Sequence, residues 1–374
     1  MHPLVYGLIG LMLAYPFAEV AKAQGEAARP SSAVQSLNPD TSINFLTLYK
    51  QSKRKGSDRT EPDGGFSLQE AELQFTANVD PYLRASILLS VHPAEEDATA
   101  GTASSGPAEP EEKSWAIEPE EVFLETIALP YVTIKAGRFH TALGRHNGLH
   151  AHAFPFIDAP LIHQNLLGEE GLTENGLSAS ALVPVPWFLE ATVQAVQGDS
   201  PALFASQSAS DGATVYRLRN LFELSDASTL DFGFSAAAGQ NFYDSRSTVE
   251  GVDLTYKWRP ISGGKYTALI LAGEYLQGAI KGREEGAKQR GQAAWIQYQF
   301  AERWWIQARS EEADAPHQDS ERLRKNSALL AFYPSEFSGV RLQLDRTTGG
   351  GEKALDTVML QGNLSIGAHP AHTY

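Results

Sequence analysis

Five of the ten histidines in the chain fall within one stretch: His140, His146, His150, His152 and His163. Asp158, Glu169 and Glu170 stand beside them. Neutral imidazole and carboxylate together form a donor set that suits Zn²⁺, and such a set needs no cysteine, of which this chain has none. In an extended segment, residues two apart point to the same side, so His150 and His152 could both reach one ion. None of these spacings is diagnostic. The same residues fit a hydrogen-bonded polar loop at least as well, with the histidines packed against carboxylates and aromatic rings. The chain requires no cofactor; Zn²⁺ is the one it could take.

Other chemistries find less support. The sequence has no HExxH helix, Walker loop, Rossmann glycine pattern or GxSxG elbow, so no enzymatic activity is expected. Serines and histidines are plentiful enough to offer a Ser–His pair by chance, and spacing alone cannot position one. The net charge of −15 argues against nucleic acid as a partner.

The histidines lie in the longest segment without strand alternation, His140 to Asn175. A connection of this length in a compact fold is usually functional or disordered. Phe154, Phe156, Ile157, Leu161, Ile162, Leu166 and Leu167 favour burial, which argues against disorder. The loop therefore needs a wall to pack against.

The rest of the chain supplies one. Val358, Leu360, Leu364 and Ile366 alternate with Thr357, Gln361, Asn363 and Ser365, and Val340, Leu342 and Leu344 alternate with Arg341, Gln343 and Asp345. Val252, Leu254, Tyr256 and Trp258 oppose Asp253, Thr255 and Lys257 in the same way, as do Leu230, Phe232 and Phe234 with Asp231 and Ser235. Strands are expected near 41–50, 66–79, 82–91, 115–129, 131–139, 175–183, 187–197, 213–224, 229–239, 248–259, 265–277, 289–300, 303–310, 321–333, 337–346 and 355–368. Alternation also fits a soluble sandwich, but the connections favour a barrel. Short ones such as Asp80-Pro81 and Ala301-Glu302 alternate with long ones such as 92–114, 140–174 and the Gly349–Gly351 region.

The expected fold is thus all-β: a transmembrane antiparallel β-barrel of roughly sixteen strands, the size class that leaves an aqueous channel. Aromatic residues near the strand ends (Tyr82, Tyr131, Trp187, Trp258, Tyr266, Trp304 and Tyr333) are expected to form interfacial girdles. Parity places Arg84, Lys135, Arg217, Arg219, Asp253, Lys257 and Arg341 on the pore-lining face. The charges are mixed, so no selectivity follows. Arg217 and Arg219 with Lys257 and Arg259 hint at a basic ladder.

No stretch after the N-terminus holds 18 apolar residues, so helical membrane spans are not expected, although barrel strands escape that test. Leu4 to Ala14 is a short apolar core followed by Ala21-Lys22-Ala23, a small-x-small cleavage pattern. The domain reading is a signal peptide over 1–23, a periplasmic leader over 24–40 and the barrel over 41–374. His369 and His372 read as a periplasmic tail, and the chain closes on the aromatic Tyr374.

Several stretches carry a resemblance. They are Leu37-Asn-Pro-Asp40, Phe66-Ser-Leu-Gln-Glu-Ala-Glu72, Val79-Asp-Pro-Tyr82, Gly137-Arg-Phe139, Gly144-Arg-His-Asn147, His150-Ala-His-Ala-Phe-Pro155, Gly168-Glu-Glu-Gly-Leu172 and Gly367-Ala-His369. Over most of its length the chain resembles a family of Gram-negative outer-membrane barrels often labelled zinc-regulated or TonB-dependent outer-membrane receptors. In size it is similar to phosphate-selective porins. The resemblance implies a bacterial outer-membrane location and a link to zinc. A TonB-dependent transporter has about 22 strands and a plugged lumen, more than this chain can build. The layout also resembles general porins, whose third external loop folds inward as a constriction and which are often trimers. The expectation is therefore a porin-like channel for small hydrophilic solutes or ions, narrowed by the third loop, in contact with outer-membrane lipid and able to form a homotrimer. The alternative is a non-conducting receptor or metal-binding barrel whose lumen that loop closes.

Overall fold

The computed structural model describes residues 39–57, 60–61, 64–93, 115–168, 171–206, 208, 211–283, 288–315 and 321–367. The expected signal peptide, nearly all of the leader, most of the second long loop, Glu169, Glu170 and the C-terminal His369, His372 and Tyr374 lie outside the described residues.

The described chain forms sixteen strands. They are β1 (Asp40–Arg54), β2 (Gly65–Asn78), β3 (Leu83–Pro93), β4 (Trp115–Thr126), β5 (Val132–His140), β6 (Thr173–Leu182), β7 (Phe188–Val196) and β8 (Ala213–Ser225). They continue with β9 (Ser228–Gln240), β10 (Arg246–Trp258), β11 (Ala268–Ile280), β12 (Lys288–Ala301), β13 (Trp304–Asp314), β14 (Arg322–Ser335), β15 (Ser338–Gly349) and β16 (Glu352–Gly367). Each strand pairs antiparallel with its sequence neighbours. The sheet closes where β1 meets β16, in register from Ser42↔Gly367 to Arg54↔Leu355. Closure leaves no sheet edge, the condition for a β-structure to sit in lipid. Among the described residues, no helix is long and apolar enough to cross a membrane.

Side-chain parity separates the two faces. On β15, Val340, Leu342 and Leu344 are 47, 40 and 51 % exposed, whereas Arg341, Gln343 and Asp345 are 2, 0 and 7 % exposed. This inverts a soluble core: apolar residues cover the outside and polar ones line the lumen. Tyr82, Tyr131, Trp187, Tyr266 and Trp304 are exposed at strand ends, where a girdle belongs. Tyr333 departs from that expectation. It shares inward parity with Leu329 and Ala331 and packs against the cluster they form with Phe156, Ile157 and Met359.

Two boundaries also shift. β11 begins at Ala268 because the preceding residues form a turn in which the Tyr266 N–H donates to Gly263 O at 2.8 Å. The Gly349–Gly351 region, expected as a long loop, is a tight hairpin. Gly349, Gly350 and Gly351 take φ of +98°, +65° and +70°, a region that glycine enters without steric penalty.

Of the register shifts in the barrel, those in β2 and β4 each insert one extra residue within the strand. In β2, Gln69 is unpaired between Leu68↔Thr47 and Glu70↔Leu46. In β4, Glu120 is unpaired between Pro119↔Leu89 and Glu121↔Leu88. A bulge locally resets the in–out alternation, so two successive side chains can face the same way. Both bulges lie on the wall that meets the histidines.

Candidate functional site

The described residues of the third loop, 141–168 and 171–172, fold into the barrel. Its neck is tied by Asn147, whose Nδ2 donates to Thr141 O (2.9 Å) and Leu172 O (3.1 Å) while its Oδ1 accepts from Leu172 N (2.7 Å). The chain then makes single 3₁₀ turns at His146–Gly148 and Ala151–Ala153, followed by one short helix, α1 (Leu161–Leu167). Pro160 precedes α1, where its fixed φ favours helix entry.

The apolar residues of the loop are buried against the wall. Ile162 and Leu166 are each 1 % exposed, and they approach Gly291 and Gly278 so closely that a Cβ at either glycine would collide with them. Leu143, Leu161, Ile162, Leu166, Leu167 and Leu172 join wall residues Val196, Val215, Val249 and Leu276 in one cluster. Each such side chain contributes about 1.5–3 kcal/mol when fully buried.

Polar contacts spread around the lumen. Ala142 N donates to Gln194 Oε1 of β7 (2.8 Å), and Gly144 N to Ser235 Oγ of β9 (2.9 Å). On β11, Glu274 accepts from Arg145 N (2.9 Å) and His146 N (3.3 Å) and pairs with His163 Nε2 (3.2 Å). Arg341 of β15 donates to Phe154 O (2.6 Å), and Asn363 of β16 to His152 O (3.2 Å). Leu161 N donates to Glu311 Oε2 of β13 at 2.6 Å.

The strongest anchor is Asp158. It takes Arg309 Nη2 at 2.7 Å and Gln343 Nε2 at 2.8 Å and pairs with Lys325. Burial alone would raise its pKa, but Arg309 and Lys325 outweigh burial and hold the carboxyl well below the ordinary aspartate range. A depressed folded-state pKa gives stability that is present above the free value, about 3.9, and lost as pH falls through the lower bound value. The Asp158 contribution to loop docking should therefore be constant from pH 7 to about 4 and be lost only below that. A spin label on Gly148→Cys, clean because the chain has no cysteine, reads this directly. A transition centred near pH 4 in wild type, shared by Asp158→Asn, would rule out the ion pair as the anchor.

The five histidines do not form one group. His140, His150 and His152 face the β2–β4 wall, whereas His146 and His163 sit together with ring centres 4.9 Å apart, beside Glu274. On the first wall, the bulged Glu120 places Oε1 3.1 Å from His140 Nε2 and 3.0 Å from His150 Nδ1. The neighbouring Glu121 Oε2 lies 3.4 Å from His150 Nε2, and His152 pairs with Glu72. The His150 and His152 rings stack with centres 5.9 Å apart, since a 3₁₀ turn replaces the extended backbone.

Burial alone would lower the His150 pKa, but its hydrogen bonds to Glu120 and Glu121 prevail and hold it well above the usual value. Burial and the neighbouring His150 push His152 down to about 3. Burial, then His163, push His146 well below the usual value.

The residues expected to line the pore all face inward, and most are already partnered. Arg84 pairs with Glu125, with Nε 2.7 Å from Oε1. Lys135 lies over the Phe123 ring at 3.9 Å. Arg217 is 2.8 Å from Asp253 and Arg219 is 2.7 Å from Asp231, a carboxylate shared with Arg145. Lys257 borders a space of about 10 Å³ with Arg145, His146 and Leu149, while Arg341 holds the loop. Arg217 and Arg219 of the basic ladder are therefore held in ion pairs. On the long-loop side, a cavity of about 950 Å³ remains, bordered by Lys50, Arg54, Glu70, Glu118, Glu120, Arg138 and His140 among others.

Sequence reasoning missed Glu120 and Glu121 because their direction depends on the bulge. Pro119 was the available signal, since proline inside a sheet marks an edge or a bulge.

No protein-family model matches the chain. An uncharacterised protein of Aquifex aeolicus is 28 % identical over 359 residues, spanning 83 % of this chain and 70 % of that protein. Among solved structures, Pseudomonas putida OprB superposes with a TM-score of 0.60 at 9 % identity, over 89 % of this chain and 96 % of that one. An anion-selective porin from Comamonas acidovorans gives 0.57 at 9 %, over 88 % and 100 %. A trimer form of Vibrio cholerae OmpT, an outer-membrane protein, gives 0.53 at 8 %, over 88 % and 100 %. The fold is that of a Gram-negative outer-membrane barrel of the porin type.

Proposed function

We propose that this barrel is an outer-membrane channel for passive passage of small hydrophilic solutes or ions, with the third loop as its constriction. One observation carries the reading: a cavity of about 950 Å³, bordered by charged side chains of both signs, opens above a loop that is pinned within the lumen. Charges of both signs border that cavity and most lumen charges are paired, which favours weak ion selectivity over a ring of one sign. The likeness to porins, one of them in a trimer form, supports a homotrimer as the assembled state.

A second reading, a receptor whose lumen the loop closes, draws support from the loop's anchors on opposite walls, at Gln194 of β7 and at Arg341 of β15, eight strands apart in the ring. Conductance of the refolded protein in planar bilayers separates the two, run beside Arg309→Met, which removes a loop anchor. Stepwise conductance in wild type, larger in the variant, is the expected result. A silent wild type with a conducting variant would establish the closed receptor. Silence from both would end the channel reading.

A further inference from the structure

We propose that the β4–β5 wall of the lumen holds one divalent transition-metal ion on His140 Nε2, His150 Nδ1 and the bulged Glu120. The three residues come from two strands and the third loop, so the site exists only once that loop is docked. Their ligand atoms all lie within 4.8 Å of one another. Around a tetrahedral zinc with bonds of about 2.0–2.1 Å, donor atoms stand about 3.3 Å apart. The Glu120–His140 and Glu120–His150 spacings of 3.1 and 3.0 Å are within a few tenths of that edge, so only small rotations would admit an ion.

The outer partners point the same way. With Nε2 as ligand, His140 keeps Nδ1 free to bond Thr173 Oγ1, which lies at 3.1 Å. With Nδ1 as ligand, His150 turns Nε2 toward the Glu121 carboxylate at 3.4 Å. A metal-bound histidine typically donates its second ring N–H to an oxygen in this manner, which fixes tautomer and ring orientation.

Charge supplies an independent observation. Glu70, Glu72 and Glu120 form a second group whose oxygens also lie within 4.8 Å of one another, and Glu120 belongs to both groups. Glu72 is 1 % exposed, and the buried Glu120 Oε2 has no hydrogen-bond partner among the described residues. Like charges so close, with a buried oxygen lacking a donor, are stabilised by a bound cation. Glu70, Glu120 and His140 border the large cavity, which gives an ion a path from the long-loop end.

The site does not depend on whether the barrel conducts, and binding is read at equilibrium without a membrane. The test uses the refolded full chain in detergent, with Co²⁺ as a spectroscopic probe and Zn²⁺ as competitor. The expected result is one Co²⁺ per barrel with the intense visible bands of tetrahedral coordination, displaced by Zn²⁺. His140→Ala/His150→Ala should abolish the bands. Glu120→Gln, which preserves the side chain's shape, should weaken affinity at least tenfold. Replacing His317, His369 and His372 by alanine should leave the spectrum unchanged. Bands that survive His140→Ala/His150→Ala, or that vanish in the triple control, would overturn the site, as would octahedral Co²⁺ alone in wild type.

Discussion

Arg309→Met should release the third loop from its wall at a cost of about 3–5 kcal/mol, the range for breaking a buried ion pair by removing one partner. Arg309 has a side chain only 2 % exposed, and it donates to Asp158 Oδ1 (2.7 Å) and Asp158 O (2.9 Å) while lying 3.0 Å from Glu311. Its guanidinium also covers the Phe156 ring at 4.6 Å. The local charges are Arg309 and Lys325 against Asp158, Glu311 and Asp345, two positive and three negative. Deleting Arg309 leaves one cation facing three carboxylates. Deleting the Asp158 charge leaves two facing two, so Asp158→Asn should cost less, about 1–3 kcal/mol for the lost charged hydrogen bonds. The Gly148→Cys spin label should become mobile in Arg309→Met while the barrel itself stays folded. Equal effects from both substitutions would show that charge balance does not hold the loop.

Glu274→Leu should detach the start of the loop by a similar amount, about 3–5 kcal/mol, since each buried donor left without an acceptor costs about 1–3 kcal/mol and such terms are not additive. The Glu274 side chain is 1 % exposed and faces two backbone N–H groups, of Arg145 and His146, as well as His163 Nε2. Gly144 is part of the same fit: it takes φ +70°, and a Cβ there would run into the Glu274 carboxylate. Glu274→Gln keeps one acceptor oxygen but turns an amide donor toward N–H groups, so a smaller loss of about 1–3 kcal/mol is expected. Amide hydrogen exchange at Arg145 and His146 is the direct measurement. Protection unchanged in Glu274→Leu would mean that apolar packing of α1 alone seats the loop.

Much of this was legible in the chain. Alternation along a strand is a local property of period two, so Val340–Asp345 and Thr357–Ile366 announce which side meets lipid without knowledge of their neighbours. Connection lengths are local too, and they identified a closed barrel with a long, apolar third loop that needed a wall. The exception at Tyr333 is parity overruling residue type: an aromatic near a strand end lies in the girdle only when its position points outward.

The tertiary structure decided what the histidines face. A histidine's neighbours across a lumen come from strands far away in sequence, and no pattern within residues 140–163 states that His163 meets Glu274 while His150 meets Glu120. The division of the five histidines into two groups follows from where the loop is pinned. Its anchors Arg309, Gln343, Arg341 and Glu274 all lie over a hundred residues downstream. The direction of Glu120 depends on a bulge, a register event defined only by pairing with the neighbouring strand. Lumen-facing residue types were local information. Which of them meet was set by barrel closure, because only the closed ring of hydrogen bonds brings distant strands to opposite sides of one loop.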